Sequence, residues 1–218
     1  MNSYYNKTSR STVRRRAGRA AYDRETIDAI LDEGLVAHVG IVAEGRPYVI
    51  PVLYARNGTE LYVHGSPLSR LLGTLAQGVP MCLTVTLVDG LVFARSAFHH
   101  SMNYRSVVVL GDGYPIADRE EKLEALRMIV EHVAAGRAGE AREPDHQELK
   151  ATEVVALPIR EASAKIRTGP PVDAADDYAL PVWAGEVPVR TRFEEPVPDP
   201  RCTEPVPTYI RDYRRAYA

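Results

Sequence analysis

The stretch that decides the fold is LVAHVGIVAEGRPYVIPVLYARNGTELYVHG, residues 35 to 65. It contains three runs rich in β-branched and aromatic residues, separated by the dipeptides Glu44-Gly45 and Asn57-Gly58. Both dipeptides are typical of tight turns between antiparallel strands. The stretch therefore predicts two consecutive hairpins, built from LVAHVGIVA, RPYVIPVLYA and ELYVHG.

More strands are predicted farther along the chain. VPMCLTVTLV reaches a turn at Asp89-Gly90, LVFARSAF follows, and the run ending in NYRSVVVLG makes a sixth strand before residue 111. TEVVALPI and ASAKIRTG add two last strands. So many short antiparallel strands favour a closed or nearly closed barrel, because closure removes exposed edges. We expect a mainly β fold with a few flanking helices.

Three helices are predicted beside these strands. The first has Asp23 as its N-cap and ends at Gly34, and a third begins near Asp118. Between them, Ser66 followed by Pro67 is typical of a helix start, because the hydroxyl caps free amides and proline lacks only a donor that is not needed.

The 218 residues suit one main domain with its own core. We expect a basic N-terminal arm over residues 1–21, a barrel domain over 22–169, and a proline-rich tail over 170–218 that wraps the barrel or a partner chain. The arm carries Arg10, Arg14, Arg15, Arg16 and Arg19.

Composition narrows the possible partners. A formal net charge of −2 gives no general attraction to nucleic acid. No run approaches the roughly 20 apolar residues of a membrane span, and the N-terminus lacks the apolar core of a signal peptide, so a cytoplasmic location is expected. Cys82 and Cys202 lie far apart, which indicates neither a disulfide scaffold nor a clustered zinc site.

The segment LYVHGSPLSRLLGTL is the first candidate for chemistry. Free amides at a helix start, together with Ser69 and Arg70, suit a phosphate, although a plainly capped helix with a surface arginine is an equal alternative. Arg105 is either a second arm of a phosphate clamp or one half of an ion pair.

Other site types find less support. His64, His99 and His100 lack carboxylates at ligand spacing, so no bound metal is expected. No nucleophile elbow, phosphate loop or dinucleotide fingerprint is present. Trp183 lies in a segment bounded by proline and glycine, where it either covers a planar ligand or packs in the core.

The segments RPYVIPVLY, LYVHGSPLSRLL and DGLVFARSAFHHSMNYRSVVVLG, in this order, resemble the pyridoxamine 5′-phosphate oxidase-like flavin-binding proteins, particularly the nitroimidazole-resistance branch. The resemblance extends from about Tyr22 to Ile166. It implies a split β-barrel that forms a homodimer and holds FMN at the subunit interface.

The resemblance also implies the cofactor-binding residues. Those near the FMN phosphate and ribityl chain are His64, Gly65, Ser66, Ser69 and Arg70. The strand along the isoalloxazine ring contributes Tyr48, Val49, Ile50 and Pro51. The segment facing the flavin or its phosphate is Asn103, Tyr104, Arg105 and Ser106, and the residues expected to border the substrate cleft are His100 and Trp183.

The implied function is that of an FMN-dependent oxidoreductase acting on a small organic molecule, with no catalytic residue assigned. The tail lacks the Arg-x-His motif of the true oxidases, which argues against pyridoxamine phosphate as substrate. One alternative is a haem-binding split barrel with His64, His99 or His100 as axial ligand. Another is a non-catalytic flavin carrier whose basic arm touches nucleic acid.

Overall fold

The structure is a computed structural model, and it describes residues 3–213. Within that range ten strands form: β1 Ala20–Ala21, β2 Val36–Ala43, β3 Arg46–Asn57, β4 Glu60–Gly65, β5 Pro80–Phe93, β6 Ser101–Asp112, β7 Tyr114–Pro115, β8 Glu153–Pro158, β9 Glu161–Arg167 and β10 Gly185–Pro188. The α-helices of the same range are α1 Arg24–Glu33, α2 Arg70–Leu75, α3 Arg119–Val133, α4 His146–Lys150 and α5 Thr208–Arg211.

The strands make one antiparallel sheet in the order β1-β9-β6-β5-β2-β3-β4-β8-β7, and β10 pairs with β5 off this path. The sheet curls around a core, but its end strands β1 and β7 do not pair with each other in the described part of the chain. The barrel is therefore split rather than closed. The expectation of a mainly β split barrel with flanking helices is confirmed.

The predicted turn at Asp89-Gly90 is wrong. Strand β5 runs through it without a break, and the register to β6 shifts between Val88 and Gly90 as in a β-bulge. The stretch from Gly90 to Phe93 is held extended because β6 pairs with one edge of it and β10 with the other. Residues 35 to 111 therefore contain five strands instead of six.

Two predicted helix starts are confirmed by their caps. The Asp23 carboxylate accepts a hydrogen bond from the Thr26 amide at 2.8 Å. Asp118 accepts from the amides of Glu120 and Glu121, each at 2.9 Å. Both caps satisfy amides that lack partners within the first turn, so a signal of three or four residues was sufficient to locate each start.

The two sides of the sheet are covered very differently. The inner side is buried in the barrel core, and helix α3 covers the outer side of β4 and β8 around Tyr62 and Val154. The outer side of β2, β3, β5, β6 and β10 carries exposed apolar residues and is called the open face. Its most exposed apolar members are Val36, Val42, Val49, Leu53, Val88, Leu91, Met102 and Val187.

The tail follows the barrel surface. Asp173 forms an ion pair with Arg95 at 2.9 Å, β10 extends the sheet, and the Tyr213 hydroxyl donates to the carbonyl of Val133. Among residues 3–213, no helix has the length and hydropathy needed to cross a bilayer.

Substituting Gly34 should test the packing between α1 and the barrel. A Cβ at this position would collide with Val85 and lie 2.9 Å from the Tyr54 hydroxyl, so Gly34→Ala should lower the free energy of unfolding by about 2 kcal/mol. Urea unfolding measures the change. Gly18→Ala is the control, since no heavy atom lies within 4 Å of the added carbon. Equal stabilities of the two variants would contradict this packing.

Candidate functional site

The turn between β4 and α2 is built by two serines. The Ser66 hydroxyl accepts from the Leu68 amide at 3.2 Å, and the Ser69 amide donates to the Ser66 carbonyl at 3.0 Å. Ser69, rather than the predicted Ser66, is the N-cap of α2, because its hydroxyl accepts from the Leu72 amide at 3.2 Å. The predicted helix start is therefore three residues early, and Pro67 lies in the turn.

Gly65 allows helix α2 to pack close to the end of β4. A Cβ there would be 3.1 Å from Leu72 Cδ2, tighter than ordinary contact. The turn leaves Ser66 and Arg70 exposed to solvent, with Ser69 half-buried between them. We call residues 64–70 the phosphate turn after the ligand that the sequence predicts for it, because hydroxyls, backbone amides and a guanidinium are groups suited to a phosphate.

Arg70 links the phosphate turn to strand β3. Its guanidinium lies over the ring of Tyr48, with Cζ 4.4 Å from the ring centroid, in a cation–π contact. Two segments that the sequence assigned to one site therefore meet in the folded chain.

The four residues from Tyr48 to Pro51 alternate along β3. Tyr48 and Ile50 are partly buried against the barrel core, while Val49 and Pro51 point outward on the open face. Val49 is 67% exposed. A planar group lying on this strand would contact small apolar side chains and the backbone between them.

His64 lies at the border between the open face and the part of the sheet that α3 covers. Ala55 and Tyr62 pair across β3 and β4, so alternation places Leu53 and His64 on that same outer side. The Nδ1 atom of His64 is buried without a hydrogen-bond partner among the described residues. Burial lowers the pKa of the His64 imidazole, because the charged form loses solvation.

The segment from Asn103 to Ser106 divides between two sides of the sheet. Tyr104 and Ser106 lie on the outer side, paired with Val88 and Thr86. Asn103 and Arg105 alternate with them and point to the other side. The sequence prediction that all four face one ligand is therefore not reproduced within this chain.

Arg105 forms the ion pair that was the alternative to a phosphate clamp. Its Nη2 atom lies 2.8 Å from Glu33 and 2.8 Å from Asp89, Nη1 binds Glu33, and Nε lies 3.1 Å from Asp89. The hydrogen bonds to Glu33, and then those to Asp89, raise the pKa of Arg105 above its ordinary range. The predicted clamp of Arg70 and Arg105 finds no support in this geometry.

Asn103 has a partner that sequence reasoning missed. The buried Arg167 donates to the Asn103 side-chain oxygen and to the carbonyls of Gly169 and Pro170, and Asn103 donates in turn to Glu186 on β10. The network ties the tail to the barrel. An arginine at the end of a strand gave no sequence signal for it.

His100 and Trp183 each contact the same aromatic residue, Phe93. The ring centroid of Phe93, at the end of β5, lies 5.9 Å from that of His100 and 6.0 Å from that of Trp183. Trp183 folds back over Gly185, where an added Cβ would lie 3.0 Å from the indole. Because Trp183 is 67% exposed, its indole can cover a flat ligand as well as pack.

The phosphate turn and this aromatic group lie apart in one chain. His38 of β2 pairs with Pro51 of β3 on one side and with Thr84 of β5 on the other. Phe93 lies nine residues beyond Thr84 along β5, which corresponds to a strand length of about 30 Å. The cavity of about 850 Å³ at the opposite end of β4, beside Glu60, Tyr114 and Arg160, contains none of the predicted site residues. The candidate site is thus an open surface rather than an enclosed pocket.

Fold and site together define a class: a split β-barrel with a phosphate turn beside an uncovered apolar face. The chain belongs to the pyridoxamine 5′-phosphate oxidase family, whose model matches residues 23–166. No curated protein matches the chain.

Solved structures include close relatives. The flavocytochrome Anf3 from Azotobacter vinelandii is 44% identical over 95% of this chain and 97% of its own, with a TM-score of 0.90. The FAD and heme binding protein from Mycobacterium smegmatis is 37% identical over 88% and 96%, with a TM-score of 0.84. A putative 5-nitroimidazole antibiotic resistance protein from Bacteroides thetaiotaomicron is 25% identical over 67% and 86%, with a TM-score of 0.58.

Burial of His64 should make stability depend on pH. Because the folded pKa lies below the unfolded value of about 6.5, acid protonates the unfolded state first, and stability falls as pH decreases. From about pH 7.5 to about pH 5.5, the parent should lose more unfolding free energy than His64→Gln. His146→Gln, on the exposed surface of α4, is the comparison. An equally large difference for that variant would contradict the role of burial.

Proposed function

We propose that this protein is a flavin-binding redox protein that works as a homodimer and passes electrons between its cofactor and a small organic molecule. The observation that carries the proposal is the contact of Arg70 with Tyr48, which joins the phosphate turn to the strand bordering the open face. A flavin phosphate at the turn and a ring system along β3 fit that arrangement.

The donor set fits a flavin. Ser66, Ser69 and Arg70 provide hydroxyls and one charge for a phosphate, while Val49 and Pro51 provide an apolar bed for the ring. When bound, a flavin supplies one- and two-electron chemistry. The protein's part is to hold the phosphate, orient the ring and limit its contact with water.

The phosphate turn suits the phosphate that FMN and FAD share. FMN was expected from the sequence, but the relative that is 37% identical is named for FAD, which favours FAD. The exposed Arg14, Arg15 and Arg16 of the N-terminal arm are available for a second phosphate.

Haem is the second cofactor that we propose. One relative is named a flavocytochrome and another a FAD and heme binding protein, at 44% and 37% identity. In this chain, His64 carries a buried ring nitrogen without a partner, an atom suited to accept a hydrogen bond or ligate iron. A haem beside the open face would give the flavin an internal electron partner.

The homodimer is supported by the open face. Exposed apolar surface of this extent is typical of a protein interface. Pairing two open faces would bury it, and a two-fold axis between the two regions would place one chain's phosphate turn near the other chain's Phe93, His100 and Trp183. The site separated in one chain would then be completed by two.

Removing Arg70 should release the flavin. Loss of one charged phosphate contact costs about 1.5–3 kcal/mol, so Arg70→Ala should bind the flavin about ten- to a hundredfold more weakly than the parent. Visible absorption of the purified protein, with mass spectrometry of the released cofactor, measures retention and identifies FMN or FAD. Arg127→Ala, on the exposed surface of α3, is the control. Full retention in a folded Arg70→Ala variant would reject the phosphate assignment.

A charge on the open face should separate the subunits. Val42 is 62% exposed on β2 and is not among the proposed flavin contacts, so Val42→Asp should convert a dimer to a monomer. Light scattering during size-exclusion chromatography measures the mass. Val197→Asp, on an exposed tail residue, should leave the mass unchanged. A monomeric parent protein would contradict the proposed dimer.

A further inference from the structure

We propose that His99, Asp173 and Asp177 form a binding site for a divalent cation of the zinc type, which fastens the tail to the barrel. One ligand atom from each residue lies within 4.8 Å of the others. The site is separate from the phosphate turn and does not depend on the proposed flavin.

The fold brings these residues together from two distant segments. His99 ends the short 3-10 turn Ala97–His99 between β5 and β6. Asp173 and Asp177 belong to the tail, the latter within the 3-10 turn Ala175–Ala179. The sequence predicted no metal because no acid lies at ligand spacing from the histidines. Asp173 and Asp177 are far from His99 along the chain.

The His99 ring is oriented by a neighbouring hydroxyl. Its Nδ1 atom lies 2.9 Å from Ser96 Oγ. With Nδ1 donating to that oxygen, Nε2 holds the lone pair that a metal requires. Metal-binding histidines are typically fixed in this way by a hydrogen bond at the second ring nitrogen.

The two aspartates differ in their surroundings. The Asp173 side chain is fully buried and rigid, since it accepts from the Arg95 backbone amide and guanidinium, each at 2.9 Å. The Asp177 side chain has no hydrogen-bond or ion-pair partner within residues 3–213. The Arg95 guanidinium is paired with Asp173, so the carboxylate of Asp177 beside the His99 imidazole is available to bind a cation.

One imidazole and two carboxylates favour zinc over magnesium and calcium. Magnesium and calcium favour sites made only of oxygen ligands, whereas one imidazole with two carboxylates suits zinc. Zinc binds nitrogen and oxygen at about 2.0–2.2 Å, so a small rotation of Asp177 closes the cluster around an ion. A bound ion would tie the tail to the barrel close to His100.

Isothermal titration with zinc, and then with cobalt, tests the site in the purified, chelator-treated protein with its cofactors bound. We expect one zinc ion per chain, cobalt absorption bands typical of a nitrogen- and oxygen-ligated ion, and no binding of magnesium. Asp177→Asn and His99→Ala should each weaken zinc binding at least about tenfold. Asp176→Asn and His146→Ala remove an exposed acid and an exposed histidine outside the cluster, and should bind zinc like the parent.

Limited proteolysis gives a second readout. Zinc should slow cleavage of the tail near residues 173 to 182 in the parent but not in Asp177→Asn. Absence of stoichiometric zinc binding would overturn the proposal, as would unchanged affinity in both cluster variants. Loss of a haem absorption band in His99→Ala, without loss of zinc binding, would assign His99 to haem and overturn it too.

Discussion

Strand β5 is the element on which the rest of the structure depends. Its 14 residues pair with β6 along one edge and with β2 and then β10 along the other. The bulge at Asp89 makes this possible, because it returns Leu91 to the outer side already occupied by Val88. It also leaves Asp89 out of the ladder, where its carboxylate meets Arg105 and its carbonyl accepts from Val189. Asp89 therefore connects the barrel strands, the ion pairs of Arg105 and the tail.

Sequence motifs predicted the fold correctly where the groups that interact lie within a few residues of one another. The caps at Asp23 and Asp118 involve amides within three residues, and the sequence located both. The turn dipeptide Asp89-Gly90 failed because strands on both edges overrode its turn preference. At Ser66 the serine-proline pair predicted a helix start, but Ser66 stabilises a turn and Ser69, three residues later, caps the helix.

The candidate site shows the same limit. The family resemblance implied that residues 48–51 and 64–70 belong to one site, and the Arg70 contact with Tyr48 joins the two segments. The ion-pair partners of Arg105 could not be identified from sequence, because Glu33 lies on helix α1 and Asp89 on strand β5. The cluster of His99, Asp173 and Asp177 was likewise hidden, since only tertiary structure brings the tail to the β5–β6 connection.

The tail supplies Trp183 from outside the region that the family model covers, whereas the phosphate turn lies inside it. The surface proposed to bind the cofactor and the surface proposed to border the substrate therefore belong to separate stretches of the sequence. Insertions or replacements between β9 and β10 can change the surface around Trp183 while the paired strands keep their register. With this division, the barrel can stay the same while the segment that carries Trp183 changes.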